Sequence, residues 1–188
     1  MSELYIIFEG EIDQESVNRI YDSVSTANPQ KHNRINLIFS SSGGNIYLGF
    51  FLANFIQNFY IPIRIHANNR IDSIANIIYL SAKERTAEAF ARFYIHGASM
   101  NVHGYKKDFE ETVKSLEVDN ERIAQYIADN TSLPVDKVKG FMEDRDSKSA
   151  QEALEYDMVQ SITHLDISSI SEQNKVYIPY IIKKNKNA

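Results

Sequence analysis

Short runs of β-branched and aromatic residues recur along the chain, and the first three each lead through a turn into apolar residues at helical spacing. Leu4-Tyr5-Ile6-Ile7-Phe8 closes at Glu9-Gly10 and precedes the helical face Val17, Ile20, Tyr21, Val24, which Asp13 can cap and which ends before Asn28-Pro29. Ile35-Asn36-Leu37-Ile38-Phe39 breaks into Ser40-Ser41-Ser42-Gly43-Gly44-Asn45, ahead of Leu48, Phe51, Leu52, Phe55 and Phe59. Ile61-Pro62-Ile63-Arg64-Ile65 runs through Asn68-Asn69-Arg70 to Ser73, where a helical pattern (Ile74, Ile77, Ile78) begins. A fourth run, Arg92-Phe93-Tyr94-Ile95, delivers His96. Strands alternating with amphipathic helices imply an α/β fold with a largely parallel sheet. Ligand and catalytic groups then belong at the carboxyl ends of the strands, which is where Gly43, Gly44, Ser73 and His96 fall.

Each of these groups has a chemical use. Paired glycines adopt backbone conformations closed to other residues and leave their N–H groups uncovered, so they can face the oxyanion of an acyl-transfer intermediate. A serine opening a helix sits at the positive end of the dipole, where negative charge is favoured. A histidine on a neighbouring strand end can take the serine proton. Taken singly, a Gly-Gly turn is usually only a turn, a serine before a helix an N-cap, and a lone histidine a structural residue. Their order and spacing favour the chemical use.

Ser41-Ser42-Gly43-Gly44-Asn45-Ile46, then Ser73, then Tyr94-Ile95-His96 resembles the proteolytic subunit of the Clp protease (the ClpP family). That family shows S-P-G-G-x-[VI], a nucleophilic serine opening a helix, and an I-H motif. Glu143-Asp144-Arg145-Asp146 followed by Ser149-Ala150-Gln151-Glu152-Ala153-Leu154-Glu155-Tyr156 resembles its E-R-D…S-x-x-E-A-x-x-[YF] segment. The likeness spans roughly residues 4–164. Ser42 stands where the family has Pro, Gly97 where Gln is usual, and Asn69-Arg70-Ile71-Asp72 where small residues precede the serine.

The resemblance implies a ClpP/crotonase-like fold of repeated ββα units with a protruding handle helix. It implies Ser73 as nucleophile and His96 as general base and then acid. Gly44 and Ile74 would supply oxyanion N–H groups, and Gly43 would contact substrate. For the acid that orients His96, an ungapped alignment lands on Arg145, and a shift of one residue reaches Asp146 or Asp144. Asp146 is the expectation and Asp144 its substitute. Asp72, whose charge would oppose an oxyanion unless paired, is a third candidate. Two other readings fit the same residues. One is a non-catalytic assembly subunit, with Ser73 an N-cap and His96 packed. The other is a crotonase-like acyl-thioester enzyme, which explains the Gly-Gly turn but not Ser73 and His96.

The chain of 188 residues suits one domain over 1–168 with an extension over 169–188. A net charge of −5 gives no electrostatic case for nucleic acid. The absence of cysteine excludes disulfides and thiol catalysis, and no apolar run reaches membrane-spanning length. The expected location is the cytoplasm. Neither metal nor cofactor is expected, since His32, His66, His103 and His164 lack metal-site spacing. Residues 106–129 read as one long helix with Phe109, Val113, Leu116, Ile123 and Ile127 on a stripe, which the resemblance makes the handle. Pro134 opens a further helix, Ser149 with Glu152 forms a capping box, and 175–182 reads as an edge strand before a basic tail. Family members close into rings. The expected partners are therefore peptides or unfolded chains and six or seven copies of this chain, in one or two layers. The strand at 4–8 lies almost at the start, so the family's axial loops, and with them the usual unfoldase contact, are expected to be missing.

Overall fold

The computed structural model describes residues 2–178. Its centre is β2 (His32–Gly44), whose residues Ile35 to Ser40 are all buried. A strand buried without alternation must be covered on both faces, the signature of a parallel sheet between helices. β1 (Ser2–Ile12) pairs with β2 in parallel from Leu4–Ile35 to Gly10–Ser41, and its alternate residues Leu4, Ile6 and Phe8 enter the core. α1 (Gln14–Ser25) returns over the sheet on Val17, Ile20 and Val24. It starts in a capping box, in which the Ser16 N–H donates to Asp13 Oδ1 and the Asp13 N–H to Ser16 Oγ.

β3 (Ile63–Asp72) continues seven residues beyond the apolar run that announces it, straight through Asn68-Asn69-Arg70. It also forks. Arg64 to Ala67 pair with β4 (Glu84–Ala87), whereas Arg70 to Asp72 pair with β5 (Arg92–Ile95), both in parallel. α2 (Ile46–Asn58) and α3 (Ala75–Leu80) fill the crossovers, and every residue of α3 is buried. The two helices close on one another where Gly49 meets Ile74, a place where any Cβ would overlap the isoleucine side chain. β6 (Asp146–Ser149) adds to β5 as the antiparallel member, β7 (Ser161–Ile162) pairs with β4, and β8 (Lys175–Ile178) lies parallel to β1 at the far edge. The rest of the expected edge strand, Pro179 to Ile182, and the basic tail lie outside the described residues.

α4 (Lys106–Asp129) has the expected bounds, and its two halves differ. Ile123, Ala124 and Ile127 are buried against the body, whereas Phe109, Val113 and Val118 face outward. α5 (Val135–Asp144) follows Pro134, which is its N-cap, and α6 (Ala150–Glu155) opens on the Ser149–Glu152 capping box. The short strands at 84–87, 146–149 and 161–162 lack a sequence signal of their own. They exist because neighbouring strands offer them a paired edge.

Arg85 ties this half of the molecule together. Its guanidinium donates to the carbonyls of Ala82, Met158 and Asp157 at 2.9–3.0 Å and to that of Asn130 at 3.4 Å. These carbonyls lie at or just past the ends of α3, α4 and α6, where no intrahelical donor remains. Replacing Arg85 by Leu is expected to lower unfolding free energy by about 2–4 kcal/mol, because several part-buried carbonyls lose charge-assisted bonds. Urea denaturation checks this, and Arg85→Lys should recover only a minor part, having one cationic centre for four acceptors.

Candidate active site

Ser73 leaves β3 with φ 58°, in the left-handed region that few non-glycine residues occupy. Three contacts hold it there. The Ser73 N–H donates to the Tyr94 carbonyl at 2.9 Å, so the ends of β3 and β5 are locked side by side. Asn76 Nδ2 lies within hydrogen-bonding distance of the carbonyls of Ile71, Ser73 and Tyr94, at 3.0–3.2 Å, from the first turn of α3. The third contact is the glycine turn at the end of β2. A Cβ on Gly43, which has φ 83°, would stand 2.6 Å from Ser73 Cβ and 2.7 Å from the Asp72 carbonyl oxygen. At Gly44, φ 147°, a Cβ would overlap the Ile12 carbonyl of β1. The two glycines are therefore required by close approach, Gly43 to the serine and Gly44 to the neighbouring strand.

Ser73 is part-exposed, and its Oγ has no hydrogen-bond partner among the described residues. The Ile74 N–H, next in the chain, precedes the first turn of α3 and so has no intrahelical acceptor. The Gly43 N–H is occupied by Ser41 Oγ at 3.1 Å. Beside the turn, a cleft of about 310 Å³ is lined by Glu9, Gly10, Ser40, Ser41, Ser42 and Arg70. It opens at the carboxyl ends of β1, β2 and β3, where open α/β sheets place their ligands.

His96 follows β5 by one residue, as Ser73 follows β3 by one. The register Asp72–Tyr94 sets these two ends together, although Ser73 Oγ and His96 do not bond to each other. His96 Nδ1 lies 2.7 Å from the Gly97 carbonyl oxygen. A carbonyl only accepts, so Nδ1 carries the proton of the neutral ring and Nε2 keeps its lone pair.

The structure does not bring Asp146 to His96. The antiparallel register sets Asp146 against Ile95, and alternation along the strand turns the next side chain, His96, to the other face. The Asp146 carboxylate is instead held by Lys148 Nζ at 2.5 Å. Asp144 ends α5 on the surface, and Arg145 is that helix's left-handed C-cap. Asp72 is buried, and its Oδ2 accepts from Arg70 Nε at 2.8 Å and from Arg92 at 3.3 Å. The carboxylate beside the serine is thus paired with two cations, which removes its objection to negative charge at Ser73. Arg70 and Arg92 are cross-strand neighbours in the β3–β5 ladder. Neither arginine nor Asn76 is a residue that the sequence motifs single out for chemistry. His66, which lacks metal-site spacing, is buried between Thr86 and Glu88, and burial pushes its pKa down.

With this geometry in place, the comparisons with known proteins decide the family. A sequence profile of the Clp protease family matches residues 1–166. The chain belongs to the Clp protease family. It is 26% identical over 170 residues to the ATP-dependent Clp protease proteolytic subunit 3 of Rhizobium meliloti, covering 89% of this chain and 85% of that one. Against the proteolytic subunit 2 of Treponema denticola it is 28% identical, covering 84% and 80%. The fold matches a ClpP1 mutant from Listeria monocytogenes with a TM-score of 0.77 at 21% identity, over 86% of this chain and 91% of that one. This Clp-family chain therefore carries the expected mixed α/β fold with its mostly parallel sheet. Among the described residues no helix is long and apolar enough to cross a membrane.

Arg70→Ala is expected to cost roughly 2–4 kcal/mol of stability, because a buried carboxylate loses its closer cation. Chemical denaturation reads this out. If charge is the cause, adding Asp72→Asn to Arg70→Ala should restore part of the loss rather than deepen it.

Proposed function

We propose that the chain is a serine-type peptidase subunit acting on peptides or unfolded polypeptides. The observation that carries this reading is Ser73, held at a positive φ against a glycine turn with a free Oγ beside a histidine whose Nε2 lone pair is available. In this reading His96 Nε2 takes the Ser73 proton as Oγ adds to the peptide carbonyl. The oxyanion is received by the Ile74 N–H, at the dipole end of α3, and by the Gly44 N–H. Collapse of the intermediate expels the amine, which takes its proton from His96, and water then repeats the sequence on the acyl-enzyme. Gly43 shapes the approach of the substrate backbone, and the cleft at Arg70 receives a neighbouring side chain. The Ser73–His96 bond that this reading needs is not made in the unliganded structure, and catalytic hydrogen bonds often tighten only once substrate is bound.

A non-catalytic assembly subunit is the second reading, favoured by the unmade Ser73–His96 bond and by the engagement of Asp146 with Lys148. A fluorophosphonate probe separates the two. Wild type should be labelled, and Ser73→Ala should lose labelling and peptide hydrolysis while keeping its fold. Wild type unlabelled across a broad pH range would sink the peptidase reading.

A peptidase of this kind needs its site enclosed, and the outward half of α4 is the surface proposed to bind further copies of the chain. Phe109 and Val113, one turn apart on the stripe that also carries Leu116, are about half exposed there, and heterologous contacts that close produce rings. Light scattering should give an assembly of six or seven subunits, in one layer or two. Val113→Asp should reduce its mass, and a strict monomer in the wild type would remove the enclosed-site argument.

A further inference from the structure

We infer that Asn120 is the positioning residue of His96, acting through the peptide plane between Gly97 and Ala98. This deepens the peptidase reading and rests on it for its kinetic consequence only. The Ala98 N–H donates to Asn120 Oδ1 at 2.6 Å. The carbonyl of the same peptide unit, that of Gly97, accepts from His96 Nδ1 at 2.7 Å. A trans peptide is planar and points its N–H and C=O in opposite directions. Fixing the N–H on one side therefore fixes the carbonyl on the other. The preceding peptide unit is held as well, its Gly97 N–H donating to the Met142 carbonyl of α5 at 3.3 Å.

The chain of groups runs from the Asn120 amide oxygen, through one backbone amide, to the imidazole. Hydrogen bonds in such a series polarise one another in the same sense. Asn120 is well placed to begin it. It sits where α4 turns from its exposed half to its packed half, next to buried Asp119 and one turn before buried Ile123. Residue 97 takes part by having no side chain. A Cβ there would stand 3.3 Å from Asn120 Oδ1, so a larger residue would push the amide away from Ala98. The Ala98 N–H demands an acceptor, which settles the orientation of the Asn120 amide. Asp146, the expected orienting acid, is meanwhile bound to Lys148. A neutral carbonyl takes the place of a carboxylate, and Asn120 does for that carbonyl what a rigid loop would otherwise do.

The test reads the tautomer directly. Protein labelled with ring-¹⁵N histidine is examined at a pH well above the ordinary imidazole pKa of ~6.5, the His96 signals being assigned by their loss in His96→Gln. Wild type should show Nδ1 protonated and Nε2 bare. Asn120→Leu should lose that preference, whereas Asn120→Asp, which keeps an acceptor, should retain it, and Asp146→Asn should leave it unchanged. In hydrolysis, Asn120→Leu should lower kcat roughly ten- to a hundredfold with KM unmoved, less than the ~10⁴-fold of a lost triad carboxylate. Asn120→Ala, smaller at the same place, serves if the leucine variant does not fold. A wild-type tautomer in folded Asn120→Leu or Asn120→Ala overturns the inference, as does its loss in Asp146→Asn. Absence of any probe labelling sinks the peptidase reading while the tautomer result still stands.

Discussion

The hydrogen bond from the Ser73 N–H to the Tyr94 carbonyl is the constraint on which the site depends. It closes the upper half of a fork. β3 pairs with β4 along its first half and with β5 along its second, so the strand end carrying the serine is aligned to the strand end carrying the histidine. A slip of one residue there would turn Asp72, Ser73 and their neighbours to opposite faces. Asn76 resists it with one amino group shared among three carbonyls. Gly43 resists it from the other side, because its missing Cβ is the space into which Ser73 fits.

Electrostatics near the serine follow from the same fork. The register puts Arg70 beside Arg92, two like charges that would repel without the buried Asp72 carboxylate bridging them. The three groups leave one net positive charge beside the place where an oxyanion would form. His96 is held differently, by a backbone carbonyl. A carbonyl dipole orients the ring as well as a carboxylate does but stabilises an imidazolium less. A histidine held this way is aimed by a neutral group and gains less stabilisation of a positive charge.

α4 divides into two jobs along one continuous stripe. Its second half belongs to the core and presents Asn120 to the segment after His96, while its first half projects apolar side chains away from the body. The stripe reads uniformly in sequence because helical spacing records only which side chains share a face. Whether that face meets the same chain or something else depends on how far the body reaches.

Much of the fold was legible in local chemistry. Short apolar runs before turns gave the parallel strands, the Asp13 and Ser149 caps marked helix starts, and the stripe from Phe109 to Ile127 bounded α4, because each signal lies within a few residues of its effect. Gly43, Gly44, Ser73 and His96 could be named together because strand ends in a parallel sheet converge. The partners that make them a site could not. Arg92 reaches Asp72 and Asn120 reaches Ala98 across elements, and no spacing along the chain encodes a hydrogen bond between residues twenty or more positions apart; Arg70 and Asn76 bond nearer neighbours but matter only because β5 lies beside them. The Asp146 expectation shows the same limit. The antiparallel register of β6 on β5 sets Asp146 opposite Ile95 and within reach of Lys148, and that register has no local signal. Local sequence determined which elements form and which reactive groups end them. Only the tertiary register decided which of those groups touch, because side-chain direction in a strand reverses with every residue.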